Sequence, residues 1–313
     1  MVKIKAPRNR TINLTDEEKD YYAGKILKAD SLKGYAELDN IINGDIYDCC
    51  KFIPPKSVDL LFLDPPYNLS KQFHNNNFNK ITEKKYSGWF DSWFKLLLPS
   101  LKNTATVYIC SDWKTSVSIY QVIKESLIVR NRITWEREKG RGAKANYKNS
   151  HEDIWFATRS DKYTFNLDAV KLKRKVVAPY KENGKPKDWE ESNSGNYRLT
   201  HPGNFWNDIS IPFWSMPENT DHPTQKPEKL IAKLILASTN VNDVVFDPFS
   251  GSGTTAVVAK KLSRHFYAVE IAEEYVMLGL KRLDLAGKDN SIQGYSDGVF
   301  WERNTLAEQK KSK

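Results

Sequence analysis

The hydrophobic positions along the chain predict strands that alternate with helices. An apolar run at 58–63 predicts a buried strand, and apolar side chains at helical spacing predict a helix over 89–98. Further strands are predicted at 106–110, 244–246 and 266–269. Because such alternation builds parallel sheets with helices packed on both faces, we expect an α/β fold with a mostly parallel, doubly wound sheet.

This regular pattern is interrupted in the middle of the chain. Between about 138 and 221, Gly, Asn, Lys and Pro become frequent and helical periodicity fades, apart from a short apolar segment at 153–157. We therefore expect an irregular insertion in the α/β domain. Near the N-terminus, Thr15 is followed by three acidic residues, which predicts the start of a helix.

The charge of the chain is concentrated in the same irregular region. The chain has 48 Lys and Arg against 39 Asp and Glu, and residues 139–188 contain 13 of the former and 6 of the latter. This local excess gives most of the net charge of +9. A basic segment of this kind predicts a polyanionic partner, and a well-solvated surface is the alternative.

The cysteines and the longest apolar runs limit the cellular setting. Three cysteines are too few for a disulfide framework, and their spacing does not fit a metal site, so we expect no metal. No apolar run approaches the roughly 18 residues of a membrane span. The first residues also lack the apolar stretch of a signal peptide. We therefore expect a cytoplasmic protein without a membrane partner.

A glycine-rich turn at 247–255, with the sequence DPFSGSGTT, lies between a predicted strand and a predicted helix. Its glycines allow the backbone to approach a ligand closely at the carboxyl end of the strand. No Lys follows as in a P-loop, and the third Gly of the dinucleotide fingerprint is absent. Glu270 ends the next predicted strand, where a carboxylate can hold the two ribose hydroxyls of an adenosine-containing cofactor. An ordinary surface Glu is the alternative.

The tetrapeptide Asp64-Pro65-Pro66-Tyr67 follows the first buried strand. An exocyclic amine of a base is a poor nucleophile because its lone pair is delocalised into the ring. The Asp64 carboxylate and the Pro65 carbonyl can accept hydrogen bonds from that amine, while consecutive prolines hold both acceptors in place. Tyr67 can stack on a base that has been flipped out of a duplex. The alternative is a strand-ending Asp followed by a rigid turn.

These two motifs together resemble the amino-methyltransferases of DNA. In that family a DPPY loop is catalytic, and a DPFxGxGTT turn binds S-adenosylmethionine. Here the DPPY loop comes first, which is the order of the permuted β group, and the resemblance covers residues 38–283. Similar RNA and protein methyltransferases usually carry NPPY after the cofactor motif. The resemblance implies a circularly permuted, Rossmann-like methyltransferase fold.

The resemblance also assigns further residues. The segment at 222–227 matches the family's signature near the methionine end of the cofactor, with Lys226 as a candidate for its carboxylate; a Pro-started helix is the alternative. The segment at 44–46 matches the contact with the adenine of the cofactor, and Phe249 can pack on the same ring. The residues expected to bind the cofactor are Asp45, Ile46, Lys226, Asp247, Phe249, Gly251, Ser252, Gly253, Thr254, Thr255 and Glu270.

The identity of the first motif residue bears on the base that is methylated. Asp at position 64 favours the N6 amine of adenine, since enzymes for the N4 amine of cytosine more often carry Ser there. Carbon-5 chemistry would need a cysteine nucleophile that typically follows proline, and no cysteine in the chain follows proline. Cytosine-N4 methylation, a catalytically silent DNA-binding subunit and an RNA substrate remain as alternatives.

The resemblance gives the segments of the chain their expected roles. We expect a basic arm and helix at 1–36, a catalytic half at 37–157, a target-recognition insertion at 158–221, a cofactor-binding half at 222–285 and a loosely held tail at 286–313. The residues expected to contact DNA are Lys139, Arg141, Lys144, Lys173, Arg174 and Lys175.

The expected partners follow from the same family. They are double-stranded DNA and, for a bacterial restriction–modification enzyme, a cognate endonuclease that acts on the same site. The protein itself is expected to be a monomer or a homodimer.

Overall fold

The computed structural model describes residues 6–69, 71–73, 76–78, 80–137, 145–177, 180–192, 195–305 and 309. The α-helices within these ranges are α1 (Asp16–Ala23), α2 (Ile46–Cys49), α3 (Glu83–Leu97), α4 (Thr115–Ile123), α5 (Glu228–Ser238), α6 (Thr254–Lys261) and α7 (Glu273–Ala286). The strands are β1 (Leu27–Lys28), β2 (Asn40–Asn43), β3 (Val58–Leu63), β4 (Lys71–Phe73), β5 (Asn76–Phe78), β6 (Leu101–Ser111), β7 (Ile128–Glu136), β8 (His151–Thr158), β9 (Leu172–Lys175), β10 (Lys181–Glu182), β11 (Lys185–Pro186), β12 (Glu190–Ser192), β13 (Gly195–Thr200), β14 (Phe205–Trp206), β15 (Val244–Asp247), β16 (His265–Glu270), β17 (Tyr295–Ser296) and β18 (Val299–Trp301).

The central sheet has the strand order β1-β2-β16-β15-β3-β6-β8-β7-β14. Neighbouring strands are parallel, except that β8 runs antiparallel to both β6 and β7. Strands β3 and β15 are neighbours in the middle of the sheet, although β3 comes much earlier in the chain. The loops that follow these two parallel strands therefore emerge at the same edge of the sheet.

Apolar side chains cover both faces of this sheet. Along β3, Leu60 and Phe62 belong to one buried cluster, which also contains residues of α5, α6 and α7. The alternate residues Leu61 and Leu63 belong to a second cluster, with residues of α2, α3 and α4. Successive side chains of a strand point to opposite faces, so helices pack on both sides of the sheet. This confirms the expected doubly wound α/β fold.

The irregular region forms a second sheet, with the strand order β12-β13-β9-β18-β17. Its strands β17 and β18 come from the segment that was expected to be a loosely held tail. That expectation is wrong for residues 295–301, since Phe300 and Trp301 are buried and Phe300 pairs with Leu172 of the insertion. The strands are too short to give a periodic pattern, although their aromatic residues supply the apolar surface that holds them. The remaining division of the chain into segments stays a prediction.

Helix α1 begins where the sequence indicates. The Thr15 side chain accepts a hydrogen bond from the Glu18 backbone, and the Glu18 side chain accepts one from the Thr15 backbone, which is a complete capping box. Among the described residues, no helix is both long and apolar enough to cross a membrane.

Candidate active site

The loop that follows β3 is held from several sides. Tyr86 on α3 donates a hydrogen bond of 2.9 Å to the Pro66 carbonyl. Asn68 exchanges two hydrogen bonds with the Ile81 backbone, at 2.8 and 2.9 Å. The two prolines already restrict the loop, and these contacts fix it further, so the position of the neighbouring Asp64 is set before any ligand arrives.

Both carboxylate oxygens of Asp64 accept a hydrogen bond. Tyr67 donates to Oδ1 at 2.9 Å, and Lys226 donates to Oδ2 at 2.7 Å. A carboxylate has about four lone-pair sites, so each oxygen keeps one for a further donor. The Asp64 side chain remains partly accessible, whereas that of Lys226 is buried.

Glu152 on β8 is the main residue that sequence reasoning missed. Its Oε2 lies 3.2 Å from Lys226 Nζ and 3.2 Å from the Tyr67 hydroxyl, whose single proton is shared between Glu152 and Asp64. Its Oε1 is paired with the Arg137 guanidinium. Burial raises the pKa of Glu152, but the cations of Lys226 and Arg137 outweigh burial and leave the pKa below its usual value. The only sequence signal for this site was a carboxylate directly before the apolar segment at 153–157.

Lys226 has partners other than the one proposed from the sequence. Burial lowers its pKa, but the carboxylates of Asp64 and Glu152 raise it further, so the net shift is upward. The start of α5 is already occupied by the Glu218 carboxyl group, which accepts a hydrogen bond of 2.6 Å from the Glu228 backbone N–H. The amino group of Lys226 already contacts two carboxylates of the protein. Its expected role in holding the carboxylate of the cofactor stays a prediction.

The glycine-rich turn is held by the carboxylates at the ends of β15 and β16. Asp247 accepts hydrogen bonds from the Phe249 backbone at 3.0 Å and from the Thr255 hydroxyl at 2.5 Å. Glu270 accepts one of 2.8 Å from the Gly251 backbone. Each carboxylate therefore contributes to the shape of the turn, and Glu270 does so from the rim of the cavity described below.

Two glycines of the turn have positive φ angles and close neighbours. Gly251 has φ +51°, and a Cβ there would lie 2.9 Å from His222 Nε2. Gly253 has φ +77°, and a Cβ there would lie 3.0 Å from the Cα of Gly279 on α7. The turn therefore requires glycine both for its backbone conformation and for its packing.

The two loops open onto one cavity of about 380 Å³. The sequence-predicted residues that line it are Asp45, Ile46, Asp64, Pro65, Pro66, Tyr67, Lys226, Phe249, Gly251 and Glu270. The other residues of the turn do not line it but are buried behind it: Asp247, Ser252, Gly253, Thr254 and Thr255. Arg282 on α7 supports them by donating to the Ser252 carbonyl and the Thr254 hydroxyl, each at 2.9 Å.

The rings of Trp93 and Tyr275, which were not expected from the sequence, complete the cavity wall. Phe249 packs edge-on against Trp93 of α3, with ring centroids 4.9 Å apart. His222 packs against Tyr275 of α7, with centroids 4.3 Å apart. Flat apolar surfaces of this kind are suited to a ligand that contains an aromatic ring.

The predicted DNA-contacting residues lie elsewhere. Lys139, Arg141 and Lys144 fall outside the described residues. The other three form most of β9 in the second sheet, away from the residues that line the cavity: Lys173, Arg174 and Lys175.

The contacts of these three β9 residues differ. Lys173 lies over the Trp301 ring, 4.5 Å from its centroid, and Arg174 lies 3.6 Å from a carboxylate oxygen of Glu302. Lys175 is exposed. Within the described ranges, no cluster of three or more His, Cys, Asp or Glu side chains could hold a metal ion.

Residues 58–281 match the sequence model of a family described as DNA methylase, of the N6 and N4 type. The chain belongs to this family. It is 36% identical over 261 residues to the DNA adenine methyltransferase YhdJ of Escherichia coli (strain K12), a match that covers 80% of this chain and 84% of the relative. It is 34% identical over 241 residues to the Type II methyltransferase M.HpaI of Haemophilus parainfluenzae, covering 75% and 70%.

The methylase also shares its fold with solved methyltransferases. The M1.HpyAVI–SAM complex superposes with a TM-score of 0.54 at 23% identity, over 78% of this chain and 98% of that one. The cytosine-N4-specific PvuII DNA methyltransferase gives a TM-score of 0.57 at 18% identity, over 82% and 92%. These similarities confirm the Rossmann-like methyltransferase fold expected from the sequence.

Proposed function

We propose that this methylase transfers a methyl group from S-adenosylmethionine to the N6 amine of adenine at specific sites in duplex DNA. The observation that supports this proposal most directly is that the 64–67 loop and the glycine-rich turn open onto one cavity. A transfer reaction requires that the two reactants meet in one site in a fixed orientation. The similarity to a relative named DNA adenine methyltransferase supports adenine as the base.

The cavity residues fit S-adenosylmethionine, which supplies the methyl group from its sulfonium. Gly251 lines the cavity with its φ of +51°, so backbone without a side chain faces the ligand beside the His222 ring. Glu270 ends β16 at the cavity rim, where its carboxylate can accept hydrogen bonds from ribose hydroxyls. Phe249 and the ring of Trp93 offer an apolar wall for the adenine of the cofactor.

The residues of the 64–67 loop would activate the target amine. Asp64 and the carbonyl of Pro65 accept hydrogen bonds from its two N–H groups, which favours a nitrogen lone pair that is free to attack. Tyr67 stacks on the flipped base, and its hydroxyl is already fixed by Asp64. Because the loop is held before the base arrives, little reorganisation is needed during the reaction.

DNA binding would extend from the cavity to the basic part of the chain. We propose that Lys139, Arg141, Lys144, Lys173, Arg174 and Lys175 contribute to phosphate contacts, with target recognition in the 158–221 insertion. The relatives named as Type II methyltransferases support a role in restriction and modification. A cognate endonuclease is proposed on the same ground.

A methyl-transfer assay tests the proposed function. Purified methylase, incubated with S-adenosylmethionine carrying a labelled methyl group and genomic DNA of mixed sequence, should place the label in N6-methyladenine on nucleoside analysis. The Asp64→Ala variant should lose roughly 10²- to 10³-fold or more in rate while it still binds S-adenosylmethionine in equilibrium dialysis. Asp48→Ala, at an exposed carboxylate on α2, is the matched control and should keep full activity.

Each other outcome points to a different function. Label in N4-methylcytosine would replace adenine with cytosine as the substrate. Cofactor binding without transfer to any base would favour a catalytically silent DNA-binding subunit. Sequencing of the methylated product would identify the target site.

A further inference from the structure

Arg137 at the end of β7 is the second cationic residue of the cavity, and its role is not explained by the contacts within the protein. One terminal nitrogen of its guanidinium is paired with Glu152, and the residue lines the cavity. Its Nε is buried and has no hydrogen-bond partner among the described residues. A guanidinium carries five N–H donors in a fixed plane, so most of its donor capacity is unused here.

Lys226, the other lysine or arginine that lines the cavity, has no unused N–H donor. The three N–H groups of Lys226 are directed at Asp64 at 2.7 Å, Glu152 at 3.2 Å and the Tyr67 hydroxyl at 3.3 Å. Buried polar groups are nearly always hydrogen-bonded in folded proteins, and an exception points to a missing partner. Arg137 lines the cavity, and its second terminal nitrogen has no acceptor among the described residues, so it can donate to an acceptor that a ligand brings into the cavity.

A flipped adenine presents acceptors of this kind. Its amine donates two hydrogen bonds, for which Asp64 and the Pro65 carbonyl are the acceptors, whereas N1 and N7 beside the amine can only accept. The base therefore needs at least one donor from the protein on its ring edge. On the basis of the proposed function, we propose that Arg137 donates a hydrogen bond to N1 or N7 of the target adenine.

Glu152 is then a positioning residue for Arg137. Both of its oxygens are already paired, Oε1 with Arg137 and Oε2 with Lys226 and Tyr67. It orients the guanidinium while its charge is balanced by the two cations. Glu152 therefore acts on the base through Arg137.

A cycle between protein variants and base analogues tests this assignment. Once the target site is known, duplexes are made with adenine, 1-deazaadenine, 3-deazaadenine or 7-deazaadenine at the methylated position. The wild type should lose roughly 10- to 100-fold in kcat/KM with either the 1-deaza or the 7-deaza analogue. Arg137→Ala should lose a similar factor in kcat/KM with natural adenine. Its kcat/KM should not fall further when that same analogue replaces adenine. Differences in base pairing between analogues affect both proteins equally and cancel in the cycle.

The matched control is Arg132→Ala, which removes the same charge from β7, the strand that Arg137 directly follows, at a side chain that does not line the cavity. It should show the full analogue effect of the wild type. Glu152→Gln should weaken the coupling to the same ring nitrogen without changing S-adenosylmethionine binding. If Arg137→Ala and each of the three analogues lower kcat/KM by independent factors, so that the combined loss is the product of the two, the proposed contact is wrong. Wild-type methylation of the natural duplex in the same assay keeps that outcome separate from a failure of the proposed function.

Discussion

Lys226, next to the first turn of α5, donates a hydrogen bond of 2.7 Å to Asp64, which lies 162 residues earlier in the chain. The contact joins the two halves of the permuted domain at the carboxylate that would receive the target amine. Burial lowers the pKa of Lys226, but the carboxylates of Asp64 and Glu152 outweigh burial and keep its ammonium charged. Lys226 in turn is one of the two cations that hold the pKa of the buried Glu152 below its usual value.

Replacing Lys226 with Met should make methyl transfer strongly dependent on pH. Without this cation, only Arg137 and the Tyr67 hydroxyl would oppose burial at Glu152, so the pKa of Glu152 should rise from the lowered value it has in the wild type. A carboxyl with a raised pKa is protonated at low pH and recovers its charge as the pH rises. The loss in kcat should therefore be larger at low pH than at high pH, as measured in single-turnover pH profiles. Lys226→Arg should keep the wild-type profile, and an equal loss at every pH would contradict this account.

Asp247 should make the stability of the wild type fall as the pH rises. Burial raises its pKa from 3.8 to about 7, although Thr255 and the Phe249 backbone oppose the shift. An acid with a raised folded-state pKa stabilises the fold below its unfolded pKa, and that contribution disappears as the pH passes the folded pKa. Asp247→Asn removes this titration and can keep both hydrogen bonds.

Chemical denaturation of the two proteins between pH 5 and pH 8 checks this prediction. The free energy of unfolding of the wild type should drop relative to that of Asp247→Asn across this range, by about 2–3 kcal/mol. Glu218, whose burial beside Glu228 raises its pKa to about 8, titrates in both proteins, so the difference isolates Asp247. A difference that is constant with pH would show that Asp247 stays ionised.

The sequence predicted the two loops of the site but not the residues that connect them. The 64–67 and 247–255 motifs follow strands of strong apolar pattern, so their meeting at one edge follows from the parallel sheet. Glu152 and Arg137 could not be inferred, because their burial depends on charges from distant parts of the chain. A carboxylate at the start of a mostly apolar strand gives no indication of the cation that stabilises it until the fold is known.

The second sheet was hidden for a different reason. Several of its strands have only two or three residues, too few for an alternating pattern, and β18 joins β9 across most of the insertion and the whole cofactor-binding half. Apolar periodicity indicates contacts that recur along one helix or strand, and it does not show which distant strand is the partner. Phe300 pairs with Leu172, which is far away in the chain, over only two residue pairs, so no such pattern arises.

Gly253→Ala should destabilise the fold and weaken cofactor binding together. The added Cβ would meet the Gly279 backbone at 3.0 Å, and alanine disfavours the φ angle of +77°. We expect a loss of roughly 1–3 kcal/mol in the free energy of unfolding and a weaker affinity for S-adenosylmethionine by calorimetry. Gly88→Ala is the control, since its Cβ meets nothing within 4 Å and it lies in α3, where alanine should stabilise by about 0.5–1 kcal/mol. Equal effects at the two positions would contradict the packing argument.

Lys173 and Lys175 lie on the same strand but should respond differently to truncation. Lys175 is exposed, so Lys175→Ala should weaken DNA binding and reduce the slope of log K against log salt by about 0.9, the value expected for one lost phosphate contact. Lys173 lies over the rings of Trp301 and Tyr197, so Lys173→Ala should also lower the free energy of unfolding by about 0.5–1 kcal/mol. Fluorescence anisotropy with labelled duplex at several salt concentrations and thermal unfolding measure the two effects, with Lys19→Ala on α1 as the control. An unchanged salt slope for Lys175→Ala would show that Lys175 of β9 does not contact DNA phosphate, because each lost phosphate contact must reduce the number of counterions released on binding.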